Sequence, residues 1–259
     1  MTNIIGASFN VWKKIDDSLA PSEVANLQDR YPNLSFAGLQ EIDWRLTHSN
    51  VGDWEFFQAD GGHAARRPII WNPEFWPWIV AGEHNILTPR KELSDGSTLV
   101  ERTATWVVLE NNDDERVGVI NTHLHANVQR RAGVPNGSEA QMSHFIGTKR
   151  LIEISNAVSS LYECPVVVIG DFNVDFDGDK LNAHPEFPYY NMTKAGYQAV
   201  WELGSQPTRS ANPHDSGTID YAYGKGVKFT RVRTPNKWDS ETPILSDHLP
   251  VVFDFTLDY

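Results

Sequence analysis

Short apolar runs separated by polar turns recur along most of the chain. Runs of this length, whether alternating or continuous, are typical of β-strands. They predict strands at Ile4–Val11, Leu34–Gln40, Pro68–Trp71, Thr103–Leu109, Val117–His123, Val166–Asp171, Thr218–Tyr223, Val227–Val232 and Val251–Phe255. Strands therefore dominate the predicted structure.

A smaller number of segments have helical spacing. Pro21 stands where the first residue of a helix is expected, and Val24, Leu27 and Tyr31 follow on one face. A short helix is also predicted around Met192–Ala195, because a glycine follows directly. These helices would lie between strands of the pattern.

The longest predicted helix begins at Ser138. Gln141 stands three residues later, which gives the sequence of a capping box. The apolar residues expected along this helix are Met142, Phe145, Ile146, Ile152 and Leu161.

This order of elements predicts an α+β sandwich, in which two packed sheets are covered by helices. The chain has 259 residues, 40% of them hydrophobic, which is enough for a substantial core. Because no repeat, low-complexity tract or flexible linker interrupts it, we expect a single domain over residues 1–259.

The composition limits the classes of function. A net charge of −12 argues against a protein that coats nucleic acid passively, since such proteins are usually basic. It does not exclude an enzyme that acts on phosphates, because a bound cation supplies local positive charge. Cys164 is the only cysteine, and no apolar run reaches about 18 residues, the length of a membrane span. We expect a cytoplasmic protein with no membrane attachment, no secretion signal and no obligate protein partner.

Polar residues interrupt or end several of the predicted strands. They are Asn10, Glu41, His123, Asp171, Asn173, Asp220, Asp247 and His248. Strand ends of a sandwich can bring such side chains together at one rim. Hard oxygen ligands suit Mg²⁺ or Mn²⁺, and the absence of thiolate pairs argues against structural zinc.

The segments that carry these residues resemble the endonuclease/exonuclease/phosphatase superfamily. FNVW, LQEID, NTHLHA, IGDFNVD, TIDYAY and SDHLPVV occur in the order of that superfamily and span residues 8–253. The resemblance implies a four-layer α/β/β/α sandwich with two mostly antiparallel sheets flanked by helices. It also implies a Mg²⁺-dependent phosphoesterase, with Mn²⁺ as a substitute.

The resemblance assigns a metal-side role to three positions. Glu41 is similar to the principal metal ligand, Asn10 to the asparagine of the first strand beside the metal, and Asp247 to the metal-side carboxylate.

The other five positions are similar to catalytic residues. Asp171 matches the residue that orients or deprotonates water, and Asn173 a donor to the phosphoryl oxygen. His123 matches the histidine that contacts the scissile phosphate. Asp220 matches the partner that orients the last histidine, and His248 the group that binds the phosphate or activates water.

Several alternatives stay open at this level. His125 is the rival of His123, because it points the same way if the strand continues. Either Asp171 or His248 could be the base. Asp220 could instead be a buried acid that serves only the fold.

Two further groups have a structural and a functional interpretation. Arg66–Arg67 and Arg130–Arg131 are candidate phosphate contacts, although such pairs are more often solvated surface. Trp71, Trp76 and Trp78 could flank a groove, although core packing is the commoner role of tryptophan.

Three functions are compatible with the sequence. A nuclease acting on DNA or RNA is the first, with nucleic acid as the substrate. The alternative is a phosphatase or phospholipase C-type hydrolase of a small phosphorylated molecule or lipid headgroup. A non-catalytic binding protein is the least favoured, because such a protein would be expected to lose some of the eight polar residues.

Overall fold

The computed structural model describes residues 3–11, 19–93, 96–130, 134–204, 217–239 and 241–258. The strands are, in chain order, β1 (Ile4–Asn10), β2 (Phe36–Gln40), β3 (Glu55–Phe57), β4 (Ile69–Trp71), β5 (Trp78–Thr88), β6 (Lys91–Glu92), β7 (Thr98–Leu99), β8 (Arg102–Glu110), β9 (Arg116–His123), β10 (Gln129–Arg130), β11 (Val134–Pro135), β12 (Val166–Asp171), β13 (Gln198–Ala199), β14 (Asp220–Lys225), β15 (Val227–Arg233) and β16 (Val251–Leu257). The helices are α1 (Ala20–Arg30), α2 (His48–Val51), α3 (Glu139–Tyr162), α4 (Phe176–Asn182) and α5 (Pro188–Lys194), with 3₁₀ turns at Ala64–Arg66 and Val200–Leu203.

Within the described residues, most strands belong to two six-stranded sheets. The first has the order β15-β16-β1-β2-β4-β3 and the second the order β13-β14-β12-β9-β8-β5. β1 pairs in parallel with β2, and β12 with β9, whereas the other neighbours are antiparallel. The sheets share one apolar core, α1 covers the first sheet and α3 the second. The predicted four-layer α/β/β/α sandwich is confirmed.

A polar contact joins the two sheets close to the strand ends that carry the candidate residues. Gln40 Nε2 donates to Asn121 Oδ1 over 2.7 Å, and Asn121 Nδ2 donates to the carbonyl of Leu39 over 2.7 Å. The sheets approach so closely here that a Cβ atom on Gly38 would lie 2.5 Å from Ile169 Cδ1. Strands β2, β9 and β12 are thereby fixed relative to one another.

The N-terminus of α3 is close to the prediction. Ser138 Oγ accepts a hydrogen bond from the Gln141 N–H over 3.1 Å. The Gln141 side chain donates to Glu186 over 2.7 Å instead of accepting from the Ser138 N–H, so the capping box is half formed.

The apolar residues predicted along α3 face the core only in part: Ile152 packs against it, whereas three others do not. Met142, Ile146 and Leu161 are exposed, and the buried face consists of Gln141, His144, Gly147, Thr148, Leu151, Ser155 and Val158. The buried polar side chains find partners there: His144 Nε2 lies 2.7 Å from the carbonyl of Phe172, and Thr148 donates to the carbonyl of His144 over 3.0 Å. Satisfied hydrogen bonds let polar residues occupy a face that periodicity assigns to apolar ones.

Other differences concern elements whose apolar pattern is weak. β5 was not predicted because most of its residues are exposed at the edge of the second sheet. The short helix predicted at Met192–Ala195 is α5, which begins earlier, at Pro188. Trp71 and Trp76 are core residues, whereas Trp78 is 50% exposed.

Cys164 is buried, as expected, and burial raises the pKa of its thiol to about 11. None of the described helices combines the length and apolarity needed to cross a bilayer.

Candidate active site

Three neighbouring strands of the second sheet bring candidate residues side by side. His123 ends β9 and Asp171 ends β12, and the two residues are paired in the parallel register. Asp220 begins β14 and is paired with Asp171 in the antiparallel register. In the first sheet, Asn10 ends β1, and Glu41 directly follows the parallel strand β2. Both sheets therefore deliver polar side chains to the same rim.

Asp171 is the centre of the cluster and is only 2% exposed. Its Oδ2 accepts a hydrogen bond from Asn10 Nδ2 over 3.1 Å, and its Oδ1 accepts one from the Asn173 N–H over 2.8 Å. His123 Nε2 lies 3.5 Å and His248 Nε2 lies 3.9 Å from Asp171 Oδ2. Two imidazoles and two amides thus converge on one carboxylate.

The remaining three candidates join this cluster through the histidines. His248 Nδ1 lies 2.8 Å from Asp220 Oδ2, and His248 Nε2 lies 3.9 Å from Asp247 Oδ1. His123 Nδ1 lies 4.0 Å from Glu41 Oε1. Contacts of 4.0 Å or less therefore connect all the residues predicted from the strand ends.

The structure separates His123 from its rival His125. The strand ends at His123, so His125 does not continue its direction. His125 Nε2 lies 3.2 Å from Thr88 Oγ1, and its Nδ1 accepts from Arg102 Nε over 3.4 Å. His123 therefore contacts Asp171, while His125 lies behind Arg102.

Unusual backbone conformations accompany the cluster. Glu41 and Asn173 have φ values of 60° and 54°, the left-handed region that a glutamate rarely adopts. Gly170, directly before Asp171, has φ 151°, and a Cβ atom there would lie 2.1 Å from the carbonyl oxygen of Thr122. Only glycine permits this approach of β12 to β9.

The charges of the cluster perturb one another. Burial lowers the pKa of His248, but Asp220, Asp171 and Asp247 outweigh it and raise the pKa to about 10. Burial and then the charge of Asp220 raise the pKa of Asp171 to about 7, although His248 acts in the opposite direction. The neighbouring carboxylates therefore favour the charged form of His248, and burial favours the protonated form of Asp171.

Five residues of the cluster line a cavity of about 280 Å³, namely Glu41, His123, Asp171, Asn173 and His248. Its other lining residues include His63, Arg66, Arg67 and Arg102. A second cavity of about 430 Å³, lined by Trp44, Arg45 and the Gly61–Gly62 turn, also has His63 and Arg66 in its wall. The two cavities are therefore neighbours.

No protein-family model matches the sequence, and no match was found among curated proteins. Solved structures do match. A mannosyl-6-phosphatase of Bacteroides thetaiotaomicron aligns with a TM-score of 0.71 at 16% identity over 98% of this chain and 100% of the other. An endonuclease/exonuclease/phosphatase family protein of the same organism gives a TM-score of 0.69 at 16% identity over 100% and 99%. TDP2 of D. rerio, complexed with a single-strand DNA product, gives 0.64 at 17% identity over 99% and 100%.

The chain has the endonuclease/exonuclease/phosphatase fold. These matches cover essentially the full length of both proteins, which agrees with the six motifs read from the sequence. At such low identity they establish the fold, and the chemistry has to be argued from the cluster itself.

Two residues of the cavity wall on this endonuclease/exonuclease/phosphatase fold, Arg102 and His63, were not predicted from the sequence. Arg102 is the first residue of β8, one position before the predicted strand Thr103–Leu109. A search for arginines next to predicted strands, in addition to the polar residues chosen there, would have found Arg102. Arg66 and Arg67 were candidates and do line the cavity, whereas the side chains of Arg130 and Arg131 lie outside the described part of the chain.

Two separate groups of oxygen and nitrogen donors could hold a metal ion. Donor atoms of Asp171, Asp220 and His248 all lie within 4.8 Å of one another. Asp247, on the other side of His248, has a buried Oδ1 without a hydrogen-bond partner among the described residues. Burial raises the pKa of Asp247, and the nearby charge of Glu41 raises it further. A carboxylate oxygen that accepts no hydrogen bond and lies near a second acid fits a divalent cation.

Proposed function

We propose that the chain is a metal-dependent phosphoester hydrolase. The observation that supports this most directly is the position of Asp171, which contacts His123 and His248 in the same cavity as Glu41. Hydrolysis of a phosphoester needs a base for water, cationic donors for the phosphate oxygens and a place for a metal. This cluster offers each of them.

Asp171 is the proposed base. Burial and the charge of Asp220 raise its pKa, so this carboxylate attracts a proton more strongly than an exposed aspartate does. Hydrogen bonds from Asn10 and the Asn173 N–H hold both of its oxygens in place. The neighbouring carboxylates favour the protonated form of His248, which cannot take the proton of water and acts as a donor.

The proposed contacts of the phosphate are His248, His123 and Asn173. Asp220 holds His248 Nδ1, which leaves the Nε2–H of the imidazolium for a phosphate oxygen. Asn173 Nδ2 donates to the carbonyl of Leu124 over 3.1 Å, and its second N–H can face the cavity. Fixed donors of this kind stabilise charge that develops on phosphoryl oxygens.

Glu41, Asp247 and Asn10 are the residues that would hold Mg²⁺, or Mn²⁺ in its place. When bound, the cation would neutralise phosphate charge and assist the leaving oxygen. We prefer this group to Asp171, Asp220 and His248, because a protonated His248 already paired with Asp220 must lose its proton before it can ligate.

A nuclease is the first candidate for the specificity. It is supported by the two neighbouring cavities with shared basic residues, which offer room for a scissile phosphate and an adjoining nucleotide. The structural match to TDP2 with its DNA product points the same way. A cytoplasmic location goes with this proposal and rests on the single buried thiol.

A phosphatase of a small phosphorylated molecule is the second candidate. A net charge of −12 disfavours contact with a long polyanion, and the first cavity, at about 280 Å³, suits one small group. The match to a mannosyl-6-phosphatase agrees with it.

A substrate panel with Mg²⁺ tests the proposal. It should contain supercoiled plasmid, end-labelled DNA and RNA oligonucleotides, bis-p-nitrophenyl phosphate and sugar monophosphates. Cleavage of the nucleic acids supports the nuclease, and release of phosphate from the sugars supports the phosphatase. The absence of turnover on the whole panel, with folded protein and Mn²⁺ also tried, would contradict the hydrolase.

A further inference from the structure

Arg67 and Arg102 form a second charged feature of the active-site cavity, and nothing in the proposed hydrolysis requires it. Arg67 follows the 3₁₀ turn Ala64–Arg66 and is only 2% exposed. Arg102 begins β8 and is partly buried. Both line the cavity that contains Asp171 and His248.

Both guanidinium groups are held by neutral acceptors. Arg67 Nη1 donates to Thr103 Oγ1 over 2.8 Å and also to the carbonyl of His63. Arg102 Nε donates to His125 Nδ1 over 3.4 Å. Since His125 accepts at Nδ1, its proton lies on Nε2, where it can donate to Thr88.

Neither arginine has an acidic partner. Among the described residues, no carboxylate oxygen lies within 4.0 Å of a nitrogen of Arg67 or Arg102, and Arg67 Nε is buried without a hydrogen-bond partner. The neighbouring Arg66 differs, because its Nε lies 2.6 Å from Asp43 Oδ1. Within the described residues, neither guanidinium group is therefore neutralised by a direct ion pair. The charges of Asp171 and Glu41 act on Arg102 from a greater distance, as those of Glu101 and Glu41 do on Arg67.

Burial of neighbouring like charges without a direct ion pair is costly. Burial, and then the charges of Arg102 and Arg66, lower the pKa of Arg67 to about 9, although the charges of Glu101 and Glu41 act in the opposite direction. A bound anion would supply the missing counter-charge and the missing acceptor for Nε. The planar fork of a guanidinium matches the oxygens of a phosphate, which it can bind through two parallel hydrogen bonds.

The partners already assigned to the phosphate that is cleaved indicate that the two arginines bind a different one. The phosphate that is cleaved already has His248, Asn173 and a cation as partners in the proposed mechanism. Arg67 lines the first cavity and directly follows Arg66, which lines both. The two arginines are thus placed for a neighbouring anionic group.

We propose that Arg67 and Arg102 form a subsite for a second phosphate group of the substrate, adjacent to the phosphate that is cleaved. His125 Nδ1 accepts the hydrogen bond from Arg102 Nε that holds this arginine at the cavity wall. The substrate role rests on the proposed hydrolase function, whereas anion binding by the two arginines does not.

Equilibrium binding of inorganic phosphate to the metal-free protein in EDTA tests the anion site without catalysis. Calorimetry would compare the wild type with Arg67→Gln and Arg102→Gln. Arg116→Gln is the matched control, because Arg116 is paired with Glu110 at the start of β9, outside both cavities. We expect phosphate affinity to fall about tenfold or more in the first two variants and to stay unchanged in the third.

A measurement on wild-type protein tests the anion site even if the variants of the buried arginines do not fold. The Nε–H resonances of arginine in ¹⁵N-labelled protein should include two that shift on addition of phosphate and stay unshifted with chloride. Wild-type protein that binds no phosphate, or folded Arg67→Gln and Arg102→Gln that bind it with wild-type affinity, would overturn the proposal.

Kinetics on matched substrates identify which phosphate the subsite holds. The pair would be a dinucleotide with and without a terminal phosphate, or a sugar monophosphate and its bisphosphate. We expect the second phosphate to lower KM about tenfold in the wild type and to have no effect on KM in Arg102→Gln. An equal loss on both substrates would overturn the second-phosphate assignment.

The two proposals fail in different ways. Phosphate binding without turnover of any ester would remove the hydrolase function and leave the anion site. Turnover without arginine-dependent phosphate binding would remove the anion site alone.

Discussion

His248 Nδ1 lies 2.8 Å from Asp220 Oδ2, and this contact joins the segment before β16 to the first residue of β14. Asp220 is 1% exposed, so the pair is shielded from solvent. Its charge is one of the causes that raise the pKa of His248 to about 10, against the lowering effect of burial. The carboxylate therefore orients the imidazole and favours its charged form.

Replacing Asp220 should affect the rate more than the fold. We expect Asp220→Asn to lower kcat about 10²-fold, the effect typical of removing an electrostatic contributor. Because the variant lacks the charge that raises the pKa of His248, the alkaline limb of the kcat profile should also move to lower pH. Full pH–rate profiles of both proteins measure both effects.

A double-mutant cycle separates this role from a structural one. Adding His248→Ala to Asp220→Asn should cost far less than it does in the wild type, because the two residues act as one unit. Additive rate losses, together with a lowered melting temperature of Asp220→Asn, would show that Asp220 serves only the fold.

Glu23 supports the same segment from α1. It is 1% exposed, and it accepts hydrogen bonds from Trp238 Nε1 over 2.8 Å and from the Leu245 N–H over 3.0 Å. The next residue, Ser246, donates to the carbonyl of Asn10 over 2.6 Å and accepts from the His248 N–H over 3.0 Å. A buried acid on α1 thus holds the approach to His248.

We therefore expect Glu23→Ala to weaken both the fold and the site. It leaves two donors without their acceptor, which costs about 1–3 kcal/mol of unfolding free energy for each buried group. Urea denaturation and kcat measure the effects, with Glu153→Ala on the exposed face of α3 as the control. Wild-type stability in Glu23→Ala would contradict the role given to these hydrogen bonds.

The buried His144 should make the fold sensitive to acid. Burial lowers its pKa from 6.5 to about 4, against the raising effect of its hydrogen bond to Phe172. The unfolded chain therefore takes up this proton below about pH 6.5, while the folded chain stays neutral until about pH 4. This contribution to stability is complete above pH 6.5 and is lost as the pH falls.

The comparison with His144→Gln isolates this effect from the other titrating groups. The stability advantage of the wild type over the variant should shrink by up to roughly 3 kcal/mol between pH 6.5 and pH 4. Urea denaturation at several pH values measures it. A difference that does not change with pH would show that His144 is not held neutral by burial.

The sequence was sufficient to predict the strands of the core and the residues of the cluster. Both have the same origin: buried strands give continuous apolar runs, and a polar residue at the end of such a run needs a reason to be there. Asp171 and His123 stand out in this way after VVVIG and VGVINT. Their register across β12 and β9 could not be predicted, because it depends on which strands become neighbours.

The features that were not predicted leave weaker signals in the sequence than a polar residue at the end of an apolar run. The buried face of α3 is built from small and polar residues whose partners lie far away in sequence, such as Tyr197 for Ser155. Arg102 seemed an ordinary charge before a strand, and only the fold places it beside Arg67. A periodic pattern describes neighbours along the chain and does not show which distant residues come into contact.

The central claim is that this cluster hydrolyses phosphoesters with a bound divalent cation, and its most direct test is turnover with and without the metal. The assay would follow the best substrate of the panel with Mg²⁺, with excess EDTA and after Mg²⁺ is restored, in the wild type and in Glu41→Ala. Glu83→Ala, at an exposed position of β5, is the control. We predict that EDTA abolishes turnover, that Mg²⁺ restores it, and that Glu41→Ala folds normally but remains inactive at every Mg²⁺ concentration. Undiminished turnover in EDTA, or substantial activity of Glu41→Ala, would contradict the account.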